Sequence, residues 1–226
     1  MLLHLVERGL PAEPAAGVGD EHPRGPDAID RVHTTAEAHK RIIVVEVMGR
    51  YAGWIALYAG VAGGADAILI PEIPFDLETV ARRLRDRDQW GAKFSVVVVA
   101  EGAFPKGGKL AILEQAREGH VERLGGIGAQ VCEALGKLTG KETRSVVLGH
   151  LQRGGAPTSF DRVLATRFGG KAVELLRQGV FGTMVAFDPP DIIARRLEDV
   201  VGKTKTVPLD HDLLLTAKAL GVTFGD

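Results

Sequence analysis

Two unbroken apolar runs constrain the fold of this chain more than any other feature. Val44-Val45, inside the run Ile42–Val47, and Val96-Val97-Val98-Val99 are continuous rather than alternating. A strand with one face in water alternates apolar and polar residues, so a continuous run implies cover on both faces, as in parallel sheets. The strand-like runs are Ile42–Val47, Ala67–Ile70, Phe94–Ala100, Ser145–Leu148 and Thr183–Phe187. Helical spacing lies between them. A short helix is expected from Asp27 to about His39; Leu77, Val80 and Leu84 fall on one helical face, as do Ile127, Val131, Leu135 and Leu138. Thr158, three residues before Asp161, has the form of a capping box opening a further helix. Strands alternating with helices predict an α/β fold, a mostly parallel sheet with helices on both faces. Residues 102–124 form a connection to which the pattern assigns no element.

Length bounds the domain count. At roughly 150 residues per domain, the 226 residues give more than one domain and less than two. Residues 1–26 hold four of the 11 prolines with no apolar period, so they are expected to form an unrelated or disordered leader, with order over 27–226. The 28 basic and 29 acidic residues nearly cancel, which leaves no electrostatic footprint for nucleic acid. Cys132 is the single cysteine, so neither an intrachain disulfide nor a cysteine-based zinc site is expected, and a reducing cytoplasm is the natural compartment. No apolar run approaches the ~18 residues of a membrane span.

In an open parallel sheet, ligands bind beyond the carboxyl ends of the strands. The strand Ile42–Val47 runs into Met48-Gly49-Arg50, Phe94–Ala100 into Glu101-Gly102, and Ser145–Leu148 into Gly149-His150-Leu151-Gln152-Arg153-Gly154-Gly155. Three strands thus deliver two guanidinium groups, an imidazole and a carboxylate to one rim. The cations suit a phosphate or another anion, and the carboxylate accepts hydrogen bonds from sugar hydroxyls. The pattern points to a phosphorylated, hydroxyl-bearing small molecule. Taken singly, each residue also has a bland explanation: a solvated loop arginine, a turn-capping glutamate, an exposed histidine. No phosphate loop of the G-x-x-x-x-G-K-[ST] type occurs, no G-x-G-x-x-G follows a strand, and the seven histidines are scattered without metal-ligand spacing.

Two longer stretches carry a resemblance. Val45-Glu46-Val47-Met48-Gly49-Arg50-Tyr51-Ala52-Gly53-Trp54 is one; the other is Arg144, four residues, Gly149-His150-Leu151-Gln152-Arg153-Gly154-Gly155, five residues, Asp161-Arg162. Together with Pro71-Glu72 and Val99-Ala100-Glu101-Gly102, they resemble the 6-phosphofructokinase family over about residues 27–210. The resemblance implies a sugar-phosphate site of Met48, Gly49, Arg50, Glu101, His150 and Arg153, with Arg50 also stabilising charge on the transferring phosphoryl group. It further implies that Arg41 and Arg144 reach into a neighbouring subunit's site and hold the 6-phosphate of fructose 6-phosphate there, and hence a homo-oligomer, a dimer or tetramer. Asp66 stands where the family has an acidic effector-site residue, but His33, Trp90 and Ala92 occupy positions that are often basic.

The resemblance also implies what is missing. The glycine-rich donor loop, the Mg²⁺-binding acidic residues and the catalytic Asp of the family match nothing in this chain, where Asp76 and Asp188 lack the required context. The expectation is therefore a cytoplasmic 6-phosphofructokinase polypeptide that carries the sugar-phosphate half. Mg²⁺ and the donor, ATP or pyrophosphate, would be handled by the absent half. The alternative is a non-catalytic sugar-phosphate-binding or subunit-interaction protein.

Overall fold

The computed structural model describes residues 25–114 and 123–226. The expected leader therefore lies outside the described residues, apart from its last two positions, which already belong to the first helix. The described residues form two compact units: 25–154 with Thr206–Asp226, and Gly155–Lys205.

The larger unit is built on four parallel strands. They are β1 (Ile42–Val47), β2 (Ala67–Leu69), β3 (Ser95–Ala100) and β6 (Thr143–Val147), in the order β2-β3-β1-β6. Ile42 lies opposite Ser95 on one side and Thr143 on the other, and the register holds to Val47 opposite Ala100 and Glu46 opposite Val147. Every residue of β1 and β3 is buried, which is why these two strands read as unbroken apolar runs. Helices α1 (Gly25–His39) and α2 (Trp54–Ala62) cover one face, and α3 (Leu77–Gln89) and α4 (Ile127–Thr139) the other. On the second face Ile42, Val44, Leu69, Val97 and Val99 meet Val80 and Leu84 of α3 and Ile127, Val131 and Leu135 of α4. The remaining helix, α6 (Asp212–Ala219), packs on α2. Past it the chain returns to β2: Ile68 N–H donates to Thr223 O at 2.9 Å and Asp76 N–H to Gly225 O at 2.7 Å. Two short antiparallel strands, β4 (Ile112–Glu114) and β5 (Arg123–Leu124), lie within the stretch that the sequence left unassigned.

Two departures from the sequence pattern have plain causes. Helix α2, Trp-Ile-Ala-Leu-Tyr-Ala-Gly-Val-Ala, is apolar all round, so it has no amphipathic period to detect; its burial explains the composition. Strand β6 starts two residues before the expected Ser145, because an edge strand tolerates the exposed Arg144.

The smaller unit holds helix α5 (Ser159–Arg177) and the hairpin β7 (Thr183–Asp188) with β8 (Asp191–Arg196). The capping box is present: Asp161 N–H donates to Thr158 Oγ1 at 3.2 Å, and Thr158 N–H to Asp161 Oδ2 at 3.0 Å. The apolar run Thr183–Phe187 is a strand as expected. It pairs antiparallel with β8, whose Asp-Ile-Ile-Ala-Arg-Arg is too polar to announce itself.

Candidate functional site

The site at the carboxyl ends of β1, β3 and β6 is organised by backbone N–H groups. Leaving β1, the chain turns through Met48, Gly49 and Arg50. Glu101, just past β3, accepts from Gly49 N–H at 3.3 Å and from Arg50 N–H at 2.9 Å through the same oxygen, Oε1. Its own N–H donates to Val47 O at 2.9 Å, which locks the two strand ends together. Arg50 adopts a left-handed φ of 55°, a conformation that costs a non-glycine residue ~1–2 kcal/mol. The Glu101 bond offsets part of that cost. Gly102 is required here: a Cβ on it would stand 1.7 Å from the Arg50 carbonyl oxygen.

The third strand end arrives as a single 3-10 turn, Gly149–Arg153, after β6. Gln152 Oε1 accepts from Met48 N–H at 2.7 Å, so the turn is fastened to the first residue of the β1 loop. Farther along that loop, Gly53 N–H donates to both oxygens of Glu72, at 3.0 and 3.1 Å, and Glu72 Oε1 also accepts from Val207 N–H at 2.7 Å. The loop is thus pinned at three points by Gln152, Glu101 and Glu72. Arg50 on this loop, and His150 and Arg153 on the turn after β6, are exposed, while Met48 and Glu101 are half-buried. The Arg50 guanidinium also lies 5.5 Å from the Tyr51 ring centroid. A charged guanidinium and an imidazole held at the lip of a rigid loop suit an anionic ligand. A half-buried carboxylate beneath suits hydroxyl groups.

All six residues expected at the sugar-phosphate site therefore lie on one rim of one unit. Gln152 and Glu72 were not among them. Glu72 could have been found by the same rule that found Glu101, since it too follows a strand end, that of β2.

Arg41 and Arg144 lie elsewhere. Arg41 precedes β1 and Arg144 is the second residue of β6, so both stand at the amino ends of the strands. At ~3.3 Å per residue, β1 separates them from the Met48–Arg50 loop by roughly 17 Å. Both bind Glu142: Arg41 Nε at 2.7 Å from Oε2, and Arg144 Nη2 at 2.5 Å from Oε1. The hydrogen bond from Arg41, reinforced by the charges of Arg144, Arg41 and His39, holds the Glu142 carboxyl below its ordinary range.

Asp66 is committed to the fold. It is buried, accepts from Val96 N–H at 3.0 Å and pairs with Arg87 at 2.7 Å. Burial raises its carboxyl above the ordinary range even so, against the pull of Arg87. Asp76 caps α3, accepting from Glu78 N–H at 3.0 Å, and Asp188 pairs with Arg195 at 3.1 Å. Among the described residues no three His, Cys, Asp or Glu side chains converge as a metal site would require, and no helix is long and apolar enough to cross a membrane.

Comparison with known proteins agrees with the geometry. The family model described as Phosphofructokinase matches residues 24–176. The ATP-dependent 6-phosphofructokinase of Chloroflexus aurantiacus (strain ATCC 29366 / DSM 635 / J-10-fl) is 54% identical over 200 residues, covering 88% of this chain and 54% of that protein. The pyrophosphate–fructose 6-phosphate 1-phosphotransferase of Amycolatopsis mediterranei (strain S699) is 51% identical over 188 residues, covering 82% of this chain and 54% of that one. Among solved structures, phosphofructokinase from Saccharomyces cerevisiae superposes with a TM-score of 0.64 at 31% identity, over 77% of this chain and 22% of that chain. A pyrophosphate-dependent phosphofructokinase from Nitrosospira multiformis gives 0.68 at 23% identity, over 89% and 54%, which speaks for the fold alone. The chain spans about half the length of the relatives it matches. With a family model covering well over half its length and a rim of the expected residues on a doubly covered parallel sheet, the chain belongs to the phosphofructokinase family.

Proposed function

We propose that this chain is the sugar-phosphate-binding portion of a 6-phosphofructokinase. The observation that carries the reading is the pinned rim, on which Gly49 and Arg50 N–H donate to Glu101 and Met48 N–H donates to Gln152, in the turn bearing His150 and Arg153. In the reaction, the 1-hydroxyl oxygen of fructose 6-phosphate attacks the terminal phosphorus of ATP or of pyrophosphate. A new P–O bond forms, the bond to ADP or phosphate breaks, and the hydroxyl proton passes to a base. Arg50, His150 and Arg153 would orient the sugar phosphate and Glu101 would accept from its hydroxyls. Arg50 would also stabilise charge growing on the transferred group.

The Mg²⁺ of such a reaction does not fit the described residues. Glu101 Oε1 already accepts two backbone N–H groups, and no acidic cluster stands beside it. Relatives named for ATP and for pyrophosphate match at similar identity, and the reading holds for either donor.

Since the chain spans about half of its relatives' length, the expected outcome is binding without turnover by the 226-residue chain. Calorimetry should detect fructose 6-phosphate binding, and Arg153→Ala should weaken it by ~1–3 kcal/mol, the cost of a charge-assisted hydrogen bond. Unchanged affinity in that variant refutes the site. Donor-dependent turnover in a coupled assay refutes the binding-only half.

A further inference from the structure

The two arginines at the far end of the sheet do not wait empty for a ligand. Glu142 stands between them, one oxygen on each guanidinium, and the backbone makes the arrangement systematic. Ile42 N–H donates to Glu142 O at 3.0 Å, and Ile43 lies opposite Arg144 in the β1–β6 ladder. Residues 41 and 142 therefore flank the first rung of the ladder, side by side whatever their rotamers. Arg144 is further steadied by donating through Nη1 to Thr143 O at 3.1 Å. His39 adds positive potential when protonated.

A carboxylate bridging two guanidinium groups presents to them what one edge of a phosphate would: two oxygens and negative charge. The cluster is open to solvent, with side-chain exposures of 26% for Arg41, 44% for Glu142 and 61% for Arg144. A dissolved anion reaches it without any unfolding. A phosphate dianion that engages both arginines must either push the Glu142 carboxylate aside or sit beside a like charge.

We propose that Glu142 is a built-in counter-anion of the Arg41–Arg144 pair, which holds the two guanidinium groups together and lowers their affinity for phosphate by competing for them. This rests on the reading that Arg41 and Arg144 bind a substrate phosphate, and it adds the residue that sets how tightly they do so. The ligand class is a phosphate monoester or inorganic phosphate.

The test uses the 226-residue chain, labelled with ¹⁵N, and inorganic phosphate as probe. The arginine Nε–Hε resonances of Arg41 and Arg144 are followed through a titration at constant ionic strength. In the wild type both should move with millimolar affinity. In Glu142→Gln, and likewise in Glu142→Ala, the same resonances should titrate at least fivefold more tightly, while backbone amides of β1 and β6 stay in place. If both resonances move in the wild type but the variants bind equally or more weakly, the counter-anion role is overturned and the phosphate reading of the pair survives. If phosphate moves neither resonance in any of the three proteins, both ideas fall.

Discussion

Glu46 is the most informative residue to perturb. It is a carboxylate in the middle of a valine-rich strand, only 3% exposed, and an uncompensated charge there would cost several kcal/mol. Compensation comes from α4. Oε1 accepts from Gly126 N–H at 3.2 Å and Oε2 from Gly128 N–H at 2.7 Å, so Glu46 serves the first turn of a 13-residue helix as a capping side chain would, from the strand beneath it. Gly128 must lack a side chain for this, since its Cβ would lie 2.9 Å from Glu46 Cβ.

Glu46→Gln keeps the shape and removes the charge. It forfeits the favourable interaction with the helix N-terminus, up to ~2 kcal/mol when partly buried, and the charge-assisted part of two hydrogen bonds, ~0.5–1.5 kcal/mol each. These terms overlap, so the expected loss is ~2–3 kcal/mol. Glu46→Ala orphans both N–H groups and opens a void, for ~4 kcal/mol. Urea unfolding reads this through the buried Trp54, in a Trp90→Phe background that silences the exposed indole. At ~2 kcal/mol per molar urea, the Gln variant should lower the midpoint by about 1 M or more. Hydrogen exchange at the Gly126 and Gly128 amides should accelerate in the Ala variant. A Gln midpoint within about 0.2 M of wild type, with unchanged exchange in Ala, refutes the capping argument.

Two further outcomes follow from the same geometry. Gly102→Ala places a methyl group on the Arg50 carbonyl, so it should displace the loop, cost ~1–3 kcal/mol or more, and weaken fructose 6-phosphate binding at least tenfold by calorimetry; an unaltered affinity contradicts the pinned-loop account. Acid lability should come from Asp88, Glu133, Glu142 and Glu174, each held below its ordinary range chiefly by a hydrogen bond from Lys141, Lys137, Arg41 and Lys171 respectively. A lowered folded-state value gives stability that is present above the unfolded value and lost as pH falls through the folded one. Melting temperature should therefore drop on acidification below about pH 4, with a shallower slope in 1 M salt. Asp66 works in the opposite sense, because burial raises it and its contribution grows as pH falls; a melting temperature that rises throughout acidification would show that Asp66 outweighs the other four.

What the sequence made legible was whatever repeats along the chain. β1 and β3 announce themselves because burial on both faces removes alternation, and α4 because its buried side recurs every three or four residues. Elements fixed by partners distant in sequence left no such trace. Helix α2 is apolar all round, and β8 is a polar strand defined by its pairing with β7. The same division runs through the site. Arg50, Glu101, His150 and Arg153 follow strands, so topology alone brings them to one rim.

The groups that hold that rim in place are carboxylates and an amide accepting backbone N–H groups more than 50 residues away: Glu101 at Arg50, Gln152 at Met48 and Glu72 at Val207, as Glu46 does at Gly126 for α4. Glu101 and Glu72 follow strand ends, but no spacing rule reveals which N–H groups they or Gln152 accept from, because the donor is a backbone group that every residue but proline possesses. Strand direction, by contrast, is legible in the sequence. In a parallel sheet, residues before and after the same strand sit at opposite ends. Arg41 and Arg50 flank β1, which is why the family resemblance, in assigning both arginines to one sugar phosphate, implies that they come from two copies of the chain.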